Sequence, residues 1–142
     1  MLIFGMLALG IAMEKTGAAR LLVEGFASVV VGFGPMAVLA AVYVMTAFLT
    51  AVMTNNAVAI LLTPIAIALA AQLGVDARPF VVAVMFGASA SFATPIGYQT
   101  NTFVYTVGGY KFVDFIRVGL PLNLILLPVV IYIIPLFWPL TR

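Results

Sequence analysis

The sequence predicts an all-α membrane protein whose transmembrane helices include one re-entrant helical hairpin and one broken helix. Three observations predict it. Hydrophobic residues make up 65% of the chain and charged residues only 7%, with a mean hydropathy of +1.30, whereas a soluble domain carries about 25% charged residues. No charge falls between Glu24 and Asp76, between Arg78 and Lys111, or between Arg117 and Arg142. Charge-free apolar runs longer than about 18 residues are bilayer candidates. Two of these runs are interrupted far from any charge, at 54–56 and 94–101, by amides, hydroxyls and helix breakers. The whole of 1–142 is read as a single transmembrane unit.

The elements follow in order. Met1–Met13 has no basic stretch before its apolar run and is followed by Glu14-Lys15 instead of a small-residue cleavage site, so it reads as the end of a transmembrane helix. At about 1.5 Å per residue it covers about 20 Å of a hydrocarbon core about 30 Å thick. That predicts a truncated span at 1–13 and a chain that begins inside a longer polypeptide. Residues 18–33 place Arg20 and Glu24 at i,i+4 opposite Leu21, Leu22, Val29 and Val30, which predicts an interfacial helix. Gly32, Gly34 and Pro35 end it. Residues 36–71 are predicted as the re-entrant hairpin: an apolar arm Met36–Met53, the tip Thr54-Asn55-Asn56, and a second arm Ala57–Ala71. That second arm, about fifteen residues, is short for crossing the core.

Gln72–Arg78 is a hydrophilic loop, and Pro79 suits the first turn of the next helix. Residues 79–107 are predicted as the broken helix. Phe80–Ala93 is apolar and rich in small residues, and Thr102–Val107 is apolar again before Gly108-Gly109. Between them stands Thr94-Pro95-Ile96-Gly97-Tyr98-Gln99-Thr100-Asn101. Proline removes a backbone donor and glycine tolerates irregular dihedrals, so a helix should unwind there. Lys111–Arg117 reads as a polar connection and 118–140 as the last span, with Tyr132 and Trp138 as interface anchors.

Unwound backbone at membrane depth is tolerated only where it is buried in protein or lines a cavity, and broken helices near the midplane are how many secondary transporters bind substrate and ion. The helix starting near Ala57 would aim its N-terminus at the tip, capped by Thr54, Asn55 or Asn56, and the helix starting near Thr102 would be capped by Thr100 or Asn101. Two positive helix ends converging on one cavity point to a small anionic substrate. Neither break contains a carboxylate, whereas proton-coupled carriers generally use an intramembrane acid or histidine. Neutral oxygens suit Na⁺ as coupling ion.

The structural alternative is that the amides and threonines only bond neighbouring helices and the Pro-Gly pair only kinks one, as in a non-transporting membrane subunit. Ser89 and Ser91 read as close-packing residues, Met45, Met53 and Met85 as core, and Thr46 and Thr63 as satisfied within their own helices. With no Cys and no His, thiolate chemistry and the commonest metal ligand are excluded, no cofactor is implied, and an enzyme is not expected. A net charge of +2 is too small and scattered for nucleic acid or a polybasic lipid patch.

At the two breaks the sequence resembles the divalent anion/sodium symporter family, the sodium–dicarboxylate and sulfate carriers. The family's Ser-Asn-Thr hairpin tip looks like Thr54-Asn55-Asn56 after Phe48-Leu49-Thr50, and its Pro-Val-Gly/Ala-Thr-Pro-Pro-Asn loop looks like Pro95–Asn101. Val104, Tyr105, Arg117-Val118-Gly119-Leu120 and Leu136-Phe137-Trp138 continue the match, and Gly87–Gly97 with Gly108-Gly109-Tyr110 resemble its bacterial permease branch.

The resemblance implies two inverted repeats, of which this chain holds most of the second, with an N-terminal half completing the carrier. It implies a homodimer moving its substrate, sulfate or a dicarboxylate, across the plasma (inner) membrane. It further implies sodium ligands at Thr50, Asn55, the backbone around Met53 and Gly97, and substrate contacts at Thr54, Asn55, Asn56, Thr100 and Asn101. Two departures fall on the substrate-facing loops: Asn56 stands for the motif's Thr, and Tyr98-Gln99-Thr100 for Thr-Pro-Pro. An arsenite permease or a sodium/proton antiporter of the same superfamily is the alternative carrier. With the hairpin re-entrant, 14–35 and 72–78 lie on one side and 108–117 on the other, which the resemblance makes cytoplasmic.

Overall fold

The computed structural model of the chain describes residues 28–141 together with 12, 15–17, 21, 24 and 25. All of the predicted truncated span except residue 12, and seven of the sixteen residues of the predicted interfacial helix, therefore lie outside the described residues. Among the described residues the chain is all helix, with no strand. After a 3-10 turn at Val31–Phe33 come α1 (Pro35–Thr50), α2 (Asn55–Leu73), α3 (Arg78–Ser89), α4 (Gln99–Gly108) and α5 (Phe112–Phe137).

Local chemistry sets each boundary. Gly34, at φ 97°, turns the chain and Pro35 starts α1, its missing N–H costing nothing in a first turn. α1 ends by tightening: the N–H groups of Val52 and Met53 both reach the Leu49 carbonyl, at 3.0 and 2.8 Å. Thr54 is extended and its hydroxyl accepts from the Ala57 N–H at 3.3 Å. It is thus the N-cap that the sequence left open among three residues. Gly74 closes α2 in the left-handed region, with its own N–H to Ala71 O at 3.2 Å and the Val75 N–H to Ala70 O at 3.1 Å, the paired bonds of a Schellman end. Pro79 falls in the first turn of α3 as predicted.

Three expectations are corrected. The second arm of the predicted hairpin is not short: capping by Thr54 draws Asn55 and Asn56 into α2, which reaches 19 residues and is long enough to cross a membrane. The helix expected to start near Thr102 starts at Gln99, after an extended Tyr98 with no side-chain cap, so neither Thr100 nor Asn101 caps it. The last helix starts at Phe112, because the Asp114 carboxylate accepts from the Lys111 N–H at 2.8 Å. The charges at 111–117 thereby become its first turns. α5 then runs 26 residues with Pro121, Pro128 and Pro135 inside it.

α1, α2 and α3 form the centre. Val38, Leu39, Tyr43 and Leu49 of α1 are buried with Val58, Leu62 and Ala66 of α2 and Phe80, Ala83 and Val84 of α3. The predicted core methionines divide: Met53 is buried, Met45 partly so, and Met85 points outward at 56% exposure. Thr46 and Thr63 donate to the carbonyls of Val42 and Ala59, one turn back, as expected. α5 leans on α1 and α3 through Val130 and Ile134, whereas α4 buries none of its residues.

Ile60, Phe103, Val107 and Leu136 are left largely exposed, and α2 and α5 are both long and apolar enough to span a bilayer. Apolar helices with apolar outer faces belong in hydrocarbon. The chain is a multi-pass integral membrane protein.

α1 and α3 pack closely. A Cβ at Gly87 would lie 2.7 Å from the Thr46 Cβ and 3.0 Å from the Tyr43 carbonyl oxygen. Gly87→Val should therefore cost about 1–3 kcal/mol, the range for overpacking, read as a lower thermal unfolding midpoint in detergent. An unchanged midpoint would mean that the two helices do not meet there.

Candidate substrate and ion site

The chain leaves helical geometry twice between apolar helices, at 51–54 and at 90–98, and the two places meet. The Thr94 hydroxyl donates to the Ala51 carbonyl at 2.7 Å. Gly97 sits on the Thr50 carbonyl so closely that a Cβ there would lie 2.2 Å from the oxygen, and only glycine fits such an approach.

Beside this seam opens a cavity of about 710 Å³, lined by Thr54, Asn55 and Asn56 on one side and by Ile96, Gly97, Tyr98 and Gln99 on the other. Thr102, Phe103 and Thr106 of α4 complete it.

Under the cavity is a cluster of neutral oxygens. The buried Thr50 hydroxyl lies 2.7 Å from Asn55 Oδ1 and 3.0 Å from the Ala88 carbonyl oxygen, both acceptors. A hydroxyl carries one proton, so three oxygens share a single hydrogen. Such a cluster is short of positive charge, and oxygen donors of this kind suit a hard cation.

The other polar groups hold the second break in shape. Asn101 Nδ2 donates to the Ser91 carbonyl at 2.7 Å and to the Thr94 carbonyl at 3.3 Å, and the Thr102 hydroxyl donates to the Pro95 carbonyl. No backbone N–H from Ser91 to Tyr98 donates to a backbone carbonyl. The break therefore leaves a row of donors outside any helical ladder, beside the start of α4.

The predicted site residues separate accordingly. Thr54, Asn55, Asn56 and Gly97 line one cavity, and Thr50 stands behind Asn55. Met53 is buried with its N–H committed to Leu49. Asn101 braces the break, and Thr100 is exposed in the first turn of α4; neither lines the cavity. Sequence reasoning missed the Ala88 carbonyl, which no side chain announces. It also passed over Thr94, Thr102 and Thr106, although hydroxyls beside Pro95 and along a short helix were a usable signal.

The sequence profile of the family described as Citrate transporter (CitMHS) matches residues 1–141. This corrects the resemblance to the divalent anion/sodium symporter family. The tip and loop motifs on which that resemblance rested are kept only in part, and what is shared serves helix capping and helix breaking.

The uncharacterized transporter YfbS of Escherichia coli (strain K12) is 38% identical over 138 residues, 97% of this chain and 23% of the relative. The putative sulfur deprivation response regulator of Chlamydomonas reinhardtii is 46% identical over 114 residues, 80% of this chain and 20% of the relative. The sodium/sulfate cotransporter 1 of the same alga is 38% identical over 124 residues, 87% of this chain and 14% of the relative. The chain thus spans less than a quarter of the length of these relatives. The family and most of its relatives are transporters by name, so the chain sits among transport proteins and not among enzymes.

Asn101 and Thr100 give a matched pair of tests. Asn101→Ala removes the donor shared by the Ser91 and Thr94 carbonyls and should lower stability by about 1–3 kcal/mol. Thr100→Ala, on an exposed side chain, should change it by less than about 0.5 kcal/mol. Thermal unfolding in detergent checks both, and equal effects would contradict the bracing role.

Proposed function

The chain belongs to the citrate transporter family, and on that premise we propose that it forms the ion- and substrate-binding part of a sodium-coupled carrier for a small, multiply charged oxyanion. Sulfate and carboxylates such as citrate are the substrate class. The family's name and that of the sodium/sulfate cotransporter among the relatives both support it.

The single observation that carries the reading is the sharing of one hydroxyl proton among Thr50 Oγ1, Asn55 Oδ1 and the Ala88 carbonyl oxygen. Sodium is held by these oxygens, and its charge replaces the missing protons. The anion occupies the cavity above. The first-turn N–H groups of α2 and α4 and the unladdered N–H groups of 96–98 supply donors, and the two helix dipoles favour negative charge. Asn55 belongs to both sites, lining the cavity while contacting Thr50. An ion on its oxygen fixes the amide that faces the substrate, and this couples the two.

In this reading α1 enters the membrane without crossing it and meets α2 at 51–54, and α3 and α4 form one broken helix. Support comes from length: α1 has 16 residues, α3 has 12 and α4 has 10, which at about 1.5 Å each makes about 24, 18 and 15 Å. None of the three crosses a core of about 30 Å alone, whereas α3 and α4 in series do. The remainder of the carrier closes the cavity from the open side.

Uptake of labelled sulfate and citrate into proteoliposomes holding the intact transporter, with and without sodium, is the direct test. Uptake should depend on sodium. Thr50→Val, which keeps the shape and deletes the oxygen, should raise the half-saturating sodium concentration by at least about tenfold, as losing one ion contact of about 1.4 kcal/mol would. Anion uptake indifferent to sodium in the unmodified protein would refute the reading.

A further inference from the structure

Among the described residues, the amide oxygen of Asn123 is the one buried side-chain atom with no hydrogen-bond partner. It lies within the apolar α5, far from either end, where an unpaired polar group is disfavoured more than in water. Its position relates it to the break between α3 and α4.

One turn earlier on the same face, Gly119 touches that break backbone to backbone. A Cβ there would lie 2.2 Å from the Phe92 carbonyl oxygen and 2.5 Å from the Ala93 nitrogen. Three residues further on, Leu126 and Phe92 line the same apolar cleft, of about 210 Å³. Asn123 lies between these two contacts with Phe92. The N–H groups of Phe92 and Ala93 donate to no backbone carbonyl. Helix geometry thus puts an acceptor without a donor about one turn from two N–H groups without a backbone acceptor.

We propose that Asn123 is a positioning residue for the site. When ion and anion fill the cavity, the 92–93 backbone turns onto α5, and an N–H of Phe92 or Ala93 donates to Asn123 Oδ1. That bond locks the break in its loaded shape. The movement has a short path to the ligands: Asn101 ties Ser91 and Thr94 to α4, and Thr94 ties the break to Ala51, next to Thr50. Asn123 itself touches neither ion nor substrate. The inference rests on the sodium-coupled reading above and adds the conformational step that reports occupancy.

The test uses the intact transporter in detergent and in proteoliposomes, with sodium chloride and sulfate as the probes. In the unmodified protein, sodium with sulfate should raise the thermal midpoint and should slow hydrogen exchange at Phe92 and Ala93. Asn123→Leu, which fills the same space without the oxygen, should unfold no earlier than the unmodified protein when sodium is absent. It should nevertheless need about tenfold more sodium for half-maximal uptake, the factor that one buried hydrogen bond supplies.

A merely structural role would shift the sodium-free and sodium-loaded midpoints equally and leave the sodium requirement unchanged, which would overturn the proposal. So would exchange at Phe92 and Ala93 that ignores sodium in an unmodified protein that otherwise responds to it. That second measurement needs no variant and so decides even where Asn123→Leu does not fold. A protein with no sodium response of any kind would instead overturn the parent reading, and this inference with it.

Discussion

Inside a hydrocarbon layer, every amide that leaves a helix must be answered by something other than water, and the rest of this structure depends on how the break at 90–98 meets that demand. Its carbonyls are served first. Ser91 and Thr94 receive the two contacts of Asn101, Pro95 receives the Thr102 hydroxyl, and Thr94 in turn serves Ala51 on the facing loop. Side chains therefore take over the role of the missing ladder on the acceptor side. The donor side stays largely open. The break is thus satisfied on its acceptor side by side chains, and its N–H groups remain outside any backbone ladder.

The same packing that makes the centre makes the site. Gly87 brings α3 against Thr46 and Tyr43 of α1, and the very next residue, Ala88, presents its carbonyl to Thr50. The oxygen cluster is therefore positioned by a close helix–helix seam, and not by a loop. α4 differs, since it buries none of its residues and is joined to the centre through Asn101 and Thr102. The oxygen cluster therefore sits on the packed part of the structure, and the cavity beside it is lined partly by the loosely held part.

Much of this was legible beforehand, and the reasons are specific. Charge-free runs located the helices because a bilayer tolerates nothing else, and Pro95 with Gly97 located the break because their backbone preferences are strong. Thr54-Asn55-Asn56 announced the start of a new helix, because amides rarely interrupt an apolar run without a reason. The arm lengths were misjudged because residues that cap a helix and residues inside its first turn have the same composition, so Asn55 and Asn56 were placed outside α2. Asn101 was expected at the ligand, and an amide next to a break can serve a ligand or the backbone; in the structure its Nδ2 serves the Ser91 and Thr94 carbonyls. The Ala88 carbonyl was invisible, since every residue has one. The family was misjudged for a related reason: short motifs built from caps and breakers recur wherever helices start inside a membrane.

The three prolines of α5 have an effect that reaches beyond this chain. Each leaves the carbonyl four residues back without its donor, which frees those of Arg117, Leu124 and Ile131. Seven residues are close to two whole turns, so Pro121, Pro128 and Pro135 fall along nearly one line, opposite Gly119 and Val130. Bends placed along one line accumulate instead of cancelling. That line offers a column of carbonyls without their helical donors at two-turn intervals, and a helix laid along it is best matched by hydroxyls repeating with the same spacing.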